Sequence, residues 1–320
     1  MTVGNVRAVI AGTGMAVPDR RLTNAELEAR VDTSDAWIVE RTGIRERRVA
    51  GADDSTTSLA IAAGAAAIKD AGVTPDEIDL VLVATCTPDQ QMPSTSAFVQ
   101  DGLGLRGGAL DVDAACAGFV YALVTAAAMV EAGRAGTVLV IGAETLSRVT
   151  DPDDRGTLVL FGDGAGACVI RAGSEADGGL LAFDLGCDGS VAHILEIPAG
   201  DRYIRMEGSE VFRRAVRVVV SSAEAALEGA GLTSSDVDLF VPHQANARIL
   251  SAAGDRLRIP AHRTVLNLDR YGNTSAASIP IALAEAAERG RLHDGDVVLL
   301  SGFGAGMTWA SAVLRWSEAA

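Results

Sequence analysis

Residues 67–85 read AIKDAGVTPDEIDLVLVAT, and residues 226–244 read ALEGAGLTSSDVDLFVPHQ. Gly72 aligns with Gly231, Thr74 with Thr233 and Asp79 with Asp238, each pair 159 residues apart. GTVLV from Gly136 and GDVVL from Gly295 repeat that spacing. One offset at separate places predicts an internal duplication. Each copy reads as an alanine-rich helix, a turn, and a short apolar run of the kind found in a strand buried on both faces. In the first copy Ala62, Ala66, Ala67 and Ala71 are expected on one helix face, with Gly72 ending the helix. Strands alternating with helices imply a mostly parallel sheet covered by helices. Two halves, 1–170 and 171–320, then predict an α/β fold of five layers, α-β-α-β-α, with a site at their junction. Residues 171–179 read as a polar turn rather than a linker, so the halves are expected to be fused.

Composition narrows the function classes. Of 320 residues 48% are hydrophobic and 22% charged, which suits a large buried core rather than disorder. The net charge of -15, with no run of Lys or Arg, argues against nucleic acid and anionic membrane surfaces as partners. Four cysteines, Cys86, Cys116, Cys168 and Cys187, are too scattered for a disulfide scaffold, and no pair has metal-ligand spacing. A reducing cytoplasm is expected. Residues 114–130 and 297–314 are uncharged, but small residues in the first and Gly302, Gly304 and Gly306 in the second make both read as buried core rather than membrane spans. Residues 8–17 read as a first strand and turn, not a signal peptide.

The chemistry begins at Cys116, in DVDAACAGFVYALV. A strand precedes it and a buried helix follows, so the thiol is expected at a helix N-terminus, where backbone N–H groups and the helix dipole favour thiolate. His243, in VPHQAN, follows a strand-like run and so stands at a strand's C-terminal edge, where α/β sites form. Asn273 lies in YGNTSAAS, before a small-residue helix; subtracting 159 from Ser275 gives Cys116, which makes that helix the expected duplicate of the one after the cysteine. Taken singly each is ambiguous: a small buried residue is the default for a free cysteine, a histidine at such an edge is as readily structural, and capping a helix is the commonest job for an asparagine there.

DVDAACAGF, VPHQAN, YGNTSAAS and GFGAGMTWAS occur in this order along one chain, with DTSDAWIVERTGIRERR near the start and DPDDRGT and FGDGAGA in the middle. In these segments the sequence resembles the beta-ketoacyl-acyl-carrier-protein synthase III family, the initiating condensing enzymes of type II fatty acid synthesis, which share the thiolase fold. The resemblance implies a decarboxylative Claisen condensation. Cys116 takes the acyl group from an acyl-CoA, and a malonyl-acyl carrier protein then loses carbon dioxide. His243 and Asn273 donate hydrogen bonds to the enolate oxygen. The backbone N–H groups of Cys116 and Ala305 hold the acyl oxyanion; many relatives carry Gly at the second position. No cofactor or metal is implied, coenzyme A entering as part of the substrate.

Further roles follow by family position. Trp37, Arg41 and Arg155 would hold the nucleotide end of coenzyme A, which agrees with stacking and phosphate pairing. Gly208, Phe212 and Ala215 would line the pantetheine tunnel, although the last two also follow the spacing of a helix core face. Arg213, Arg248 and Arg256 would dock the acidic carrier protein; Asp255 stands where relatives often have another basic residue. Met92 would close the acyl pocket from across a homodimer interface. Degradative thiolases carry a second cysteine in the C-terminal glycine-rich loop, and none follows Cys187 here. Elongating condensing enzymes use two histidines where this chain has His243 and Asn273. Two other readings stand beside the initiating enzyme: an acyltransferase that primes or tailors a polyketide, and a noncatalytic carrier-binding subunit, which should have lost its nucleophile.

Overall fold

The computed structural model describes residues 6–174 and 177–317, so Glu175 and Ala176 of the joining turn lie outside it. Nine strands carry the architecture: β1 (Arg7–Ala16), β2 (Leu80–Ala84), β3 (Gly108–Val112), β4 (Thr137–Thr145), β5 (Asp163–Gly173), β6 (Gly179–Cys187), β7 (Leu239–Pro242), β8 (Val297–Gly304) and β9 (Thr308–Arg315). They form one sheet of order β1-β5-β4-β2-β3 and another of order β6-β9-β8-β7. The second order repeats the first, and where a fifth strand would stand only the isolated bridge of Phe240 to Thr264 is formed.

The sheets are mixed rather than mostly parallel. β2 pairs in parallel with β3 and β4, and β7 with β8, but β1, β5, β6 and β9 all pair antiparallel. β8 and β9 are joined by a turn of three residues, Ala305–Met307. Such a short link forms a hairpin, because a parallel return needs a crossover of a dozen residues or more.

Six helices complete the layers: α1 (Asp35–Thr42), α2 (Thr56–Asp70), α3 (Gly118–Glu131), α4 (Gly208–Gly229), α5 (Ala247–Leu257) and α6 (Ser278–Glu288). α2 covers the outer face of the first sheet, α3 and α6 lie between the sheets, and α4, with α5 against it, covers the outer face of the second. This is the five-layer α-β-α-β-α order. The middle position explains the uncharged stretch 114–130: α3 buries Phe119, Val120, Leu123 and Val130 in one central core with residues of both sheets, so it is apolar nearly all round. No helix among the described residues is long and apolar enough to cross a membrane. On α2 the buried stripe is Ala60, Ala63, Gly64 and Ala67, while Ala62 is exposed; the expected face was turned by about one residue.

The duplication is not of constant offset. Leu80 and Leu239 are 159 apart, but their ladder partners Val138 and Val298 are 160 apart. Likewise Asp79 N donates to Thr137 O and Asp238 N to Val297 O. The backbone in the left-handed region at Ala115 (φ 46°) recurs at Ser275 (φ 47°), so Ser275 is the counterpart of Ala115 and Cys116 that of Ala276. Matching two apolar runs by residue type could not set this register, because ladder hydrogen bonds decide it.

Arg47, at the end of DTSDAWIVERTGIRERR, is fully buried on the short strand Glu46–Arg48. Its guanidinium donates to Leu22 O at 3.0 Å, Asn24 Oδ1 at 2.9 Å and Val159 O at 2.8 Å. Burial, only partly offset by the Glu46 and Glu26 carboxylates, lowers its pKa to about 10. Arg47→Ala strands three buried acceptors and opens a cavity, so urea denaturation is expected to show a loss of about 3–5 kcal/mol.

Candidate active site

The N-termini of the two middle helices meet the opposite sheets. A Cβ built on Gly142 of β4 would lie 2.2 Å from Ala276 O, and one on Gly302 of β8 lies 3.2 Å from Cys116 O. This crossing puts Cys116, in the turn Ala115–Ala117 that opens α3, at the junction of the halves. Gly304 packs closer still: its Cβ would come 2.5 Å from Cys116 N. Gly304→Ala must therefore displace the cysteine by tenths of an ångström or more. Turnover is expected to fall about 100-fold with the circular dichroism spectrum intact.

Cys116 borders two cavities. One, of about 160 Å³, also touches His243, Asn273, Phe303, Gly208 and Phe212. The other, of about 260 Å³, is walled by Leu146, Val149, Phe161, Leu195, Ile197 and Ile204, with Cys86 and Ala305 beside Cys116. Ala305 is not among the residues with positive φ; Gly306 takes φ 117° instead, so an alanine side chain fits there without backbone strain. Under Cys86 lies Glu144, fully buried and raised in pKa chiefly by that burial. It accepts from Thr87 Oγ1 at 2.5 Å and from Cys86 Sγ at 3.2 Å.

Burial outweighs the helix terminus at the thiol: it pushes the Cys116 pKa up to about 12, against the expected lowering. The resting cysteine is therefore a protonated thiol. His243 is also buried, and desolvation lowers its pKa to about 3, leaving the ring neutral. Its Nδ1 lies 2.6 Å from Ser278 Oγ, and the Phe303 ring meets it edge-on at 5.4 Å. Asn273 Oδ1 accepts from Ser275 N at 2.9 Å, which orients the amide with Nδ2, a donor, as its remaining polar atom. The capping bond is thus what aims the amide.

Around this centre, Arg155 lies 4.9 Å and Arg41 5.9 Å from the Trp37 ring centroid. Arg155 also donates to Asp32 O at 2.7 Å, which joins DPDDRGT to DTSDAWIVERTGIRERR. Asn246 borders the smaller cavity and donates to Arg41 O at 3.0 Å, linking the two places. Ala215 lies elsewhere: it is fully buried on the inner face of α4, and the alanine that borders the cavity is Ala245. Arg213 is paired with Glu210, Arg248 stacks 5.3 Å over Phe212, and Arg256 is exposed beside Asp255. Met92 is 84% exposed and touches neither cavity of its own chain. Among the described residues no cluster of three or more His, Cys, Asp or Glu could hold a metal. Ser278, Asn246 and Ala245 were missed in the sequence although they stand inside YGNTSAAS and VPHQAN.

A cysteine, a histidine and an asparagine around one buried cavity, between two sheets of like order, define a condensing enzyme of the thiolase fold. A family model described as 3-oxoacyl-[acyl-carrier-protein] synthase III matches residues 110–189, and the model of that family's C-terminal part matches residues 227–316. The beta-ketoacyl-[acyl-carrier-protein] synthase III of Roseiflexus castenholzii is 50% identical over 325 residues, covering 97% of this chain and 98% of the relative. The crystal structure of 3-oxoacyl-[acyl-carrier-protein] synthase III from Aquifex aeolicus superposes with a TM-score of 0.94 at 45% identity, covering 97% of this chain and 100% of that one. The priming beta-ketosynthase of the R1128 polyketide pathway superposes with a TM-score of 0.93 at 38% identity, covering 99% of each chain. The chain belongs to the beta-ketoacyl-[acyl-carrier-protein] synthase III family.

Proposed function

We propose that this enzyme starts fatty acid synthesis by condensing an acyl-CoA primer with malonyl-acyl carrier protein through an acyl group on Cys116. The observation that carries the reading is the position of Cys116 between two cavities, one apolar and one shared with His243 and Asn273. In the first half-reaction the sulfur attacks the thioester carbonyl, the oxyanion meets the N–H groups of Cys116 and Ala305, and coenzyme A leaves as its thiol with the cysteine's proton. The acyl chain then occupies the apolar cavity. In the second, malonyl-carrier protein enters the vacated tunnel past Gly208 and Phe212 and loses carbon dioxide. The enolate oxygen is held by donors from His243 and Asn273. The enolate carbon attacks the acyl carbonyl, and the C–S bond breaks to release 3-ketoacyl-carrier protein and the Cys116 thiolate.

Substrate delivery follows from the surroundings. Trp37, Arg41 and Arg155 suit an adenine nucleotide, with Arg155 lifting from the ring to admit the base. Arg248 and Arg256 lead the docking of the acidic carrier, and Arg213 joins them once released from Glu210. We also read the chain as two halves, 1–170 and 171–320. It forms a homodimer across the edge strand β3, supported by exposed Met92, Phe98 and Leu110 on that side, which would bring Met92 to the partner's acyl cavity. Four free cysteines fit a reducing cytoplasm.

The test is incubation with a panel of acyl-CoA primers and malonyl-loaded carrier protein, followed by intact mass spectrometry of both proteins. A 3-ketoacyl-carrier protein names the primer and supports the reading. Acyl-enzyme with no condensation product overturns it in favour of simple acyl transfer.

A further inference from the structure

We propose that the Ser278 hydroxyl is a positioning residue that holds His243 in the tautomer with its proton on Nε2, facing the cavity shared with Cys116 and Asn273. The inference rests on the enolate-binding role given to His243 above. Ser278 is the first residue of α6 and is 2% exposed. Its Oγ lies 2.6 Å from His243 Nδ1 and 3.2 Å from Gln244 N. A backbone N–H can only donate, so Oγ accepts from Gln244. The hydroxyl's own proton then needs an acceptor, and among the described hydrogen bonds Nδ1 is the acceptor within reach. If Nδ1 carried the ring proton, two N–H groups would converge on one oxygen and a buried hydroxyl proton would have no partner.

The neutral ring carries one proton, and with Nδ1 accepting, that proton sits on Nε2. Gln244 is itself held by Pro242 O and Val265 O, at 2.8 and 3.0 Å, so the N–H that orients Ser278 belongs to a pinned segment. The Phe303 ring packs against the imidazole at a steep angle, with the centroids 5.4 Å apart. Two consequences follow. His243 and Asn273 both offer N–H donors to one oxygen, and His243 in this state cannot take the Cys116 proton.

The experiment uses full-length protein with 15N-labelled histidine and long-range 1H–15N spectra, the His243 signals being identified by their loss in His243→Ala. The expected result is an Nε2-protonated ring in the native protein and a mixture of tautomers in Ser278→Ala. In parallel, malonyl-carrier decarboxylation is expected to fall about 10- to 100-fold in Ser278→Ala while acylation of Cys116 proceeds. Ser278→Thr, which keeps the hydroxyl, is expected to recover most of the rate. An Nδ1-protonated His243 in the native protein overturns the proposal without any variant. So does Ser278→Ala that keeps full decarboxylation while His243→Ala loses it. If His243→Ala itself decarboxylates normally, the role of His243 fails rather than that of Ser278.

Discussion

Cys116→Ala is expected to give no acyl-enzyme and to lower condensation by at least about 10⁴-fold, read as loss of the mass shift on the protein and of 3-ketoacyl-carrier product. No other thiol can stand in. Cys168 is fully buried on β5, Cys187 is exposed outside both cavities, and Cys86 donates to Glu144, its own burial and then that carboxylate raising its pKa well above the usual thiol value. The loss should be selective. His243 and Asn273 are oriented by Ser278 and by Ser275 N, not by the sulfur, so slow decarboxylation of malonyl-carrier protein is expected to persist in Cys116→Ala. If condensation survives, the covalent route is wrong.

The reciprocal result is expected for the two donors. His243→Ala and Asn273→Ala should each lower decarboxylation and condensation by about 10²- to 10³-fold, since one preorganised donor to a developing oxyanion is worth about 3 kcal/mol. Acylation of Cys116 from acyl-CoA should continue, because the neutral His243 ring is a donor there and the thiol meets the first substrate with its own oxyanion contacts. The double variant should cost less than the product of the single effects, as groups acting on one oxygen are not additive. Rapid-quench measurement of acyl-enzyme against release of labelled carbon dioxide separates the half-reactions. Loss of acylation in His243→Ala would make the histidine the base for Cys116 and overturn this division of labour.

The ease of reading these residues differed for physical reasons. Cys116, His243 and Asn273 stand in compact segments at strand ends and helix starts, and the structure brings all three to one cavity. The apolar cavity was not legible, because Leu146, Phe161, Leu195 and Ile204 come from separated segments and look like any core residue. Arg213 reads by family position as a docking residue; its pairing with Glu210 one helical turn before it, a carboxylate shared with Arg214, could not be read from that position. Ala215 follows the helical stripe into the core, so its spacing reported packing rather than a tunnel.

By itself the sequence determined the duplicated α/β architecture, the burial of its uncharged stretches and three candidate residues, Cys116, His243 and Asn273, that meet at one cavity. Those depend on local periodicity, on residue chemistry and on repeats along one chain. Only the tertiary structure decided the change of offset from 159 to 160, the antiparallel pairs in each sheet, the protonated state of Cys116 and the partner that sets the His243 proton. Register, burial and hydrogen-bond direction depend on groups distant in the chain, and no local pattern records which of them will meet.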